Sequence, residues 1–377
     1  MKLANMANAL FSATLGPVRT ASARLTASLD HREAGTPSTY ARLLSSVKEA
    51  GLMRRARGFY ALVFTSLLVA TGGLVTGFIL LGDTWFQLLI AGGLGLVLTQ
   101  FAFLTHETSH RQVFVSGRAN DRAGRILAAG VVGISYAWWM NKHTRHHQHP
   151  NTIGKDPDIA VDTISFIEED AAKRTGFMAM LTRKQGYLFF PLLTLEGLNL
   201  HVQSIRGLFE KRPIQGRALE LSLIGVRLAA YVGVIFWLLP LGMAFAFIGV
   251  QLAVFGVYMG ASFAPNHKGM ALIPAGVKVD FLRRQVLTSR NIAGGFGMST
   301  LYGGLNMQIE HHLFPGMARP NLRKARELVL AACAREGLTY TETSMATSYG
   351  RVISYLNRVG LSARDPFDCP AVQQYGS

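Results

Sequence analysis

Eight of the eleven histidines in this 377-residue chain lie in three short motifs and at one further position. The segment HETSH at 106–110 has the form H-x3-H, and HTRHH at 143–147 has the form H-x2-H-H. QIEHH at 308–312 repeats the second form with glutamine in the first position, and a single His267 follows a long apolar segment. Residues three or four apart share one face of a helix, so each motif presents its imidazoles together. The pattern predicts a metal site.

Several kinds of metal site are excluded because the sequence lacks the ligand motifs that they use. Imidazoles suit iron, copper, zinc or nickel, and two groups of them hold two metal ions better than one. Structural zinc closes with four ligands, commonly cysteines, whereas Cys333 and Cys369 lie far apart in no C-x2-C pattern. Soluble di-iron oxygenases use two E-x2-H motifs, a pair that the chain lacks. The remaining interpretation is an all-nitrogen site of two metals that activates O2 against an unactivated C–H bond, a step that side chains alone cannot perform.

The elements that position these histidines are predicted to cross a membrane. Hydrophobic residues make up 49% of the chain and charged residues only 16%, which favours a membrane protein over two or three soluble domains. Four apolar segments are each long enough to span a bilayer core of about 30 Å. The connections at 82–84 and at Pro240 have room only for tight turns, so the segments form two hairpins. The four segments are approximately 59–81, 85–105, 221–239 and 242–263.

Two other apolar segments are predicted to lie at the membrane interface. Residues 126–140 are slightly short for a span, and a crossing there would leave the first two histidine motifs on opposite faces. Residues 187–200 contain a proline and a glutamate. Upstream, residues 38–56 predict a basic amphipathic helix, either on the membrane surface or solvated. The first 35 residues lack the apolar core of a signal peptide and are interpreted as a mobile arm.

The net charge of +16 is interpreted as membrane topology rather than nucleic-acid binding, since no nucleic-acid module is recognisable. Lysines and arginines lie in 1–58, in 106–218 and from 267 onward. The single exception is Arg227, near the start of a span, where it can snorkel to the interface. Basic flanks stay on the cytoplasmic side, and four crossings place every histidine motif on that same side.

These patterns together predict an all-α integral membrane protein with four transmembrane helices in two hairpins and a cytoplasmic helical cap. Residues 268–377 contain no span, and a helical pattern lies near 319–336. The predicted divisions are an N-terminal arm with an amphipathic surface helix at 1–57, a membrane domain with the metal site at 58–330, and a cytoplasmic tail at 331–377.

The motifs HETSH, HTRHHQHP and NMQIEHHLFP, with these spacings, resemble the membrane fatty-acid desaturase family over roughly 60–330. The resemblance implies two iron ions, O2 as co-substrate, two electrons from a reductive chain, and a double bond introduced into a fatty-acyl substrate. It also implies an additional ligand just after the second hairpin, where this chain has His267. It assigns metal ligation to His106, His110, His143, His146, His147, His267, His311 and His312.

Two departures from the family pattern affect what is expected of the site. Gln308 replaces a histidine, where its amide can orient a neighbour or bind metal weakly. The chain has no HPGG haem motif of a fused cytochrome b5 domain, so electrons are expected from a separate protein such as a ferredoxin or a flavin/iron–sulfur reductase. The basic cap suits an acidic carrier. CoA, a carrier protein and a glycerolipid all stay open as the acyl carrier.

Polar residues in or beside the motifs are candidates to support the ligands, because metal-bound histidines usually donate their other N–H to a carboxylate or carbonyl. Trp138 and Trp139 are candidates for the walls of a substrate channel, with a membrane-interface belt as the alternative. His149 is interpreted as a turn residue, with ligation left open, and His31 and His201 as non-ligands. The supporting candidates are Glu107, Asp156, Asp158, Asn266, Gln308 and Glu310.

Two other functions fit parts of this pattern. A hydroxylase, ketolase or alkane monooxygenase of the same superfamily would share the metal site, and fine geometry alone separates alcohol from alkene. A membrane metal transporter would need ionisable residues inside its spans. Apart from Arg227, the four predicted spans are nearly free of them, which counts against transport.

Overall fold

The computed structural model describes residues 38–363 and is almost entirely helical. A π-helix at Ile126–Val132, 3-10 helices at Pro157–Ile159 and Leu305–Met307, and a parallel pair of two-residue strands, β1 Asn291–Ile292 and β2 Glu342–Thr343, complete the regular structure. The α-helices in this part of the chain, α1 to α16, are Thr39–Glu49, Arg57–Leu81, Gln87–Ser109, Gly117–Arg125, Tyr136–Gln148, Glu168–Ala172, Gly176–Arg183, Gln185–Leu193, Glu196–Leu208, Arg217–Leu238, Leu241–His267, Phe281–Leu287, Phe296–Leu301, Gln308–Leu313, Arg319–Arg335 and Met345–Leu361.

Four of these helices, α2, α3, α10 and α11, are long and apolar enough to cross a membrane, as predicted. Helix α2 packs against α3, α10 against α11, and the most extensive helix–helix contact joins α3 to α11. Gly95 makes that contact close, since a Cβ there would lie 2.9 Å from the carbonyl oxygen of Gln251. The two central helices therefore meet with little side-chain bulk between them.

Both central helices extend beyond their predicted apolar ends. Helix α3 continues from 105 to Ser109, and α11 continues from 263 to His267. Hydropathy falls where the polar ligands begin, but the backbone hydrogen bonds of the helix do not stop there. The last turns of α3 and α11 therefore carry the first histidine motif and His267 at corresponding C-terminal ends.

The two segments predicted to lie at the interface do not form spans. Residues 126–140 divide into the π-helix and the start of α5, and residues 187–200 fall in α8 and α9. No other helix in residues 38–363 is long and apolar enough to cross a membrane. Helix α5 begins at Tyr136, and the side chain of the preceding N-cap residue, Ser135, accepts a hydrogen bond from the backbone N–H of Trp138. This cap fixes the start of the helix that carries the second motif.

A helical cap formed by the chain after α11 has its own core. Helix α15 matches the helical pattern predicted near 319–336. The predicted amphipathic helix is α1, and its buried residues Leu43 and Val47 pack in this core beside Leu313 and Val329. The apolar face of α1 is thus covered by protein. The predicted arm at 1–35 and Cys369 lie outside the described residues.

Candidate metal centre

The structure brings the eight predicted histidines together from four segments. The C-terminal end of α3 supplies two, α5 three, the last residue of α11 one and α14 two. Their ring nitrogens form two adjacent groups, and within each group the potential ligand atoms lie within 4.8 Å of one another. The five-histidine group contains His106, His110, His143, His147 and His311, and the three-histidine group contains His146, His267 and His312.

The three-histidine group is fixed from behind by hydrogen bonds. His267 Nδ1 donates to the carbonyl oxygen of Thr288 at 2.9 Å, and His312 Nδ1 lies 3.0 Å from Gln285 Oε1. His146 Nδ1 lies 3.1 Å from both carboxylate oxygens of Asp156. Each bond holds the hydrogen on Nδ1 and leaves the Nε2 lone pair facing the centre of the group, which is the arrangement that metal-ligating histidines adopt.

Asp156 and Asp158, two of the predicted supporting residues, both lie next to His146. Asp156 is itself held by the backbone N–H of Asn151, at 2.7 Å, and of Asp158, at 2.9 Å. Asp158 lies 3.3 Å from His146 Nδ1. Although burial alone lowers the pKa of His146, these two carboxylates raise it above its usual value. They therefore favour a proton on the outer nitrogen of the ring.

The five-histidine group has fewer outer hydrogen-bond partners than the three-histidine group. Within residues 38–363, neither ring nitrogen of His106 has a hydrogen-bond partner, and His147 Nδ1 has none. Instead the rings face one another: His110 Nε2 lies 2.7 Å from His143 Nε2, and His147 Nε2 lies 3.2 Å from His311 Nε2. This group is arranged by ring-to-ring packing rather than by outer hydrogen bonds.

The charge state of these rings fits a bound cation. Burial lowers the pKa of His143, His147 and His311 well below the usual histidine value, and that of His110 to about 3. Neutral imidazoles keep a lone pair on one ring nitrogen, and each buried nitrogen without a partner, as in His106, costs about 1–3 kcal/mol. A metal ion coordinated by these nitrogens would remove that cost. The residues present therefore fit a metal, and imidazole-rich sites suit iron among others.

Gln308 and Asn266 lie on the inner side of the three-histidine group. Gln308 Nε2 is 2.9 Å from His267 Nε2, and its Oε1 lies 3.4 Å from Asn266 Nδ2. Asn266 Oδ1 is buried without a partner among the described residues. The amide of Gln308 thus lies beside the three-histidine group and contacts both His267 and Asn266.

Two predicted supporting residues have other partners. Glu107 forms a buried ion pair with Arg319, at 2.6 and 2.7 Å, instead of contacting a histidine. Glu310 accepts hydrogen bonds from Asn291 Nδ2 at 2.7 Å and from the Tyr340 hydroxyl at 2.8 Å. Adjacent residues point about 100° apart round a helix, so a glutamate next to a ligand faces away from the metal site. Glu107 therefore ties the first motif to the cap, and Glu310 ties the third motif to neighbouring segments within the cap.

The sequence analysis missed the partners of two ligands. Gln285 lies on the short helix α12, and Thr288 caps its C-terminal end. Thr288 acts through its backbone carbonyl, which any residue type would supply, so its role leaves no sequence signal. Gln285 is separated from His312 by 27 positions and belongs to no motif.

The remaining histidines lie outside both groups. His149 caps the C-terminal end of α5. His201 is buried, and its Nδ1 donates to the carbonyl oxygen of Gly197 at 2.7 Å. His31 lies outside the described residues.

A cavity of about 420 Å³ opens beside the three-histidine group. Trp139 lines it and stacks on His143 with ring centroids 5.0 Å apart. Trp138, predicted as a second wall, does not line this cavity but packs against Gly207 of α9 and borders a much smaller one. An elongated apolar ligand suits such a space. The remaining walls next to the metal site include His146, His267, Gln308, Phe189, Leu193, Met259 and Phe263.

The chain matches the model of a known protein family. The model of the family described as fatty acid desaturase matches residues 83–344. The chain belongs to the fatty acid desaturase family. This desaturase is therefore an oxidoreductase with a fatty-acyl or lipid substrate, and its four apolar helices make it a membrane protein.

Three relatives show how much of the desaturase is shared. A Delta(8)-fatty-acid desaturase of Helianthus annuus is 29% identical over 360 residues, which cover 89% of this chain and 76% of that protein. An acyl-lipid (9-3)-desaturase of Physcomitrium patens is 30% identical over 286 residues, 72% of this chain and 53% of that protein. A Delta 8-(E)-sphingolipid desaturase of Kluyveromyces lactis is 27% identical over 353 residues, 88% of this chain and 61% of that protein.

Proposed function

We propose that this desaturase holds two iron ions, one in each histidine group, and uses O2 to introduce a double bond into a fatty-acyl chain. The observation that carries the proposal is the pair of adjacent groups of buried imidazoles beside an apolar cavity. When bound, the two metals supply the oxidising power against an unactivated C–H bond. Two hydrogens leave the acyl chain, a donor supplies two electrons, two protons are taken up from solvent, and one O2 is reduced to two molecules of water.

The protein's own residues position the ligands and the substrate. Asp156, Gln285 and the Thr288 carbonyl set the tautomers of the three-histidine group. Trp139 and Phe263, whose ring centroids lie 5.9 Å apart, form an apolar wall that excludes water and holds the chain beside the histidines. A dry, shaped cavity restricts oxidation to the C–C bond presented to the site.

The topology proposed with this function has two transmembrane hairpins and an active site on the cytoplasmic face. Its support is the position of the ligands at the C-terminal ends of α3 and α11, far from the short connections between paired helices. Those connections carry no lysine or arginine, whereas the segments flanking the other ends are basic.

A separate redox protein is proposed as the electron donor, such as a ferredoxin or a flavin/iron–sulfur reductase. The five-histidine group is the natural entry point, since His110 and His147 are only partly buried. Arg111 directly follows His110 in the chain. The side chain of Arg284 donates a hydrogen bond to the backbone carbonyl of Gln148, the residue after His147. An acidic carrier fits such a basic surface, and its association would weaken with ionic strength.

The test is expression in a host that lacks unsaturated lipids, followed by mass-spectrometric location of new double bonds. We expect alkene products with wild-type protein and none with His312→Ala. The matched control is His149→Ala, which removes an imidazole outside both groups and should retain the products. Hydroxylated acyl chains in place of alkenes would contradict desaturation, and products from His312→Ala would contradict the metal site.

A further inference from the structure

The cavity beside the three-histidine group has a charged wall. Lys142, Asp158 and Glu196 line it together with the apolar side chains described above. Lys142 precedes His146 by four residues on α5, so the two side chains lie about one turn apart on one helix face. Asp158 connects them, at 3.1 Å from Lys142 Nζ and 3.3 Å from His146 Nδ1. The charged wall therefore begins directly beside the metal site.

The charges on this wall do not suit a polyphosphate. Two lysines, Lys142 and Lys268, line the cavity together with three carboxylate residues, Asp158, Asp162 and Glu196. Asp158 raises the pKa of Lys142, and Lys268 Nζ donates to the carbonyl oxygen of Asp158 at 2.7 Å. The charge of each ammonium group is thus already compensated, although each keeps further N–H donors for a neutral acceptor, and the carboxylates outnumber the ammonium groups. Like charges brought together cost binding energy, so a strongly anionic head group is disfavoured here.

Glu196 has unused hydrogen-bonding capacity. Within residues 38–363 it forms no ion pair, and its hydrogen-bond donor is Asn199 Nδ2 at 3.0 Å. Burial raises the pKa of its carboxyl group. A half-buried carboxyl group has room for a further hydrogen bond, and a ligand that donates one compensates for the water displaced from the cavity.

We propose that Lys142 and Glu196 bind the polar end of the acyl substrate. Lys142 Nζ donates to the carbonyl oxygen of the acyl linkage, and Glu196 accepts from a hydroxyl or amide N–H next to that carbonyl. The substrate class is an acyl group joined by an ester or amide to a small head that carries a hydrogen-bond donor. This inference rests on the proposed desaturase function, and the positioning of the carbonyl beside His146 sets which C–C bond is oxidised.

A substrate panel with one acyl chain tests the chemistry of the head group. The probes are a monoacylglycerol, which offers hydroxyls alone; an N-methyl acyl amide, which offers an N–H alone; the dimethyl ether of the monoacylglycerol; and the acyl-CoA. We expect at least one donor-bearing probe to have a KM about tenfold below that of the ether, the value of one hydrogen bond to a charged group. Whichever of the monoacylglycerol and the N-methyl acyl amide has the lower KM shows whether the site recognises a hydroxyl or an amide N–H. A lowest KM for acyl-CoA would overturn the inference.

Variants of the two residues test their roles separately. Lys142→Met should raise KM about tenfold and spread the double bond over neighbouring positions, whereas Lys142→Arg should restore a single position. Glu196→Met should abolish the preference for donor-bearing probes over the ether. The matched controls are Lys173→Met and Glu169→Met, which alter exposed residues outside the cavity and should change neither quantity.

The possible failures are distinguishable. No alkene from wild-type protein with any probe would refute the proposed function itself. Alkene from wild type, with unchanged KM and a single product in Lys142→Met, would refute this inference alone. Iron content of each variant is measured in parallel, and a loss of iron in Lys142→Met would also count against it, because Lys142 would then support His146 through Asp158 rather than bind substrate.

Discussion

The two histidine groups lie side by side but are stabilised differently. Each ring of the three-histidine group is fixed by an outer hydrogen bond, to Asp156, Gln285 or the Thr288 carbonyl. In the five-histidine group the rings contact one another, and His106 has no hydrogen-bond partner among the described residues. The first group is preorganised by the protein, whereas the second depends on its neighbours and on the ion that it would bind. We therefore expect metal binding to be coupled most strongly to the ordering of the ligand side chains in the five-histidine group.

The largest expected effect comes from removing one ligand in either group. His106→Ala and His267→Ala should each abolish double-bond formation and lower iron content, since a catalytic metal needs its full ligand set. Product analysis and metal analysis of the purified variants check this. His149→Ala should match wild type in both. Normal turnover in either ligand variant would break the assignment of that group.

The next largest effect concerns the anchor of the first motif. Arg319→Met leaves Glu107 as an unpaired buried charge, which costs about 3–5 kcal/mol, and should lower the thermal stability of the metal-free protein. The matched control is Arg326→Met, which breaks a more exposed pair with Glu342 worth about 0–1 kcal/mol. Thermal unfolding of both variants in the same detergent measures the difference. Equal losses would show that the buried pair does not anchor α3 to the cap.

A smaller effect should separate the two groups directly. Asp156→Asn weakens the support of His146, and loss of such an outer partner lowers metal affinity about 10–100-fold. We expect iron in the three-histidine group to be lost first to a chelator while iron in the five-histidine group is retained. The control is Asp170→Asn, whose carboxylate pairs with the exposed Lys173. Simultaneous loss of both irons would mean that the groups do not bind independently.

The smallest expected effect is at the amide of the third motif. Gln308→His supplies an imidazole where the three-histidine group has an amide, and should retain iron and change its affinity by less than about tenfold. Gln308→Leu removes the polar group beside His267 Nε2 and should weaken iron binding more than Gln308→His does. Iron titration of the metal-free variants compares the two. Identical affinities would assign Gln308 no role at the metal.

Much of this arrangement could be predicted from the sequence because it follows from local periodicity. Helical spacing within each motif places its imidazoles on one face, and hydropathy locates the four apolar helices. The outer partners could not be predicted in the same way, because tertiary packing selects them. Glu107 and Glu310 illustrate this: adjacency in the sequence suggested support for the ligands, whereas helix geometry turns both toward the cap. Trp138 and Trp139 are neighbours for which the same geometry places only Trp139 in the main cavity.

The central claim is that eight histidines from four segments form one site for two metal ions. Iron analysis of the purified full chain, reconstituted and freed of loosely bound metal, tests it most directly. We expect about two irons per chain, matching the two histidine groups. A single tightly bound metal, or zinc alone in a fully active preparation, would contradict it.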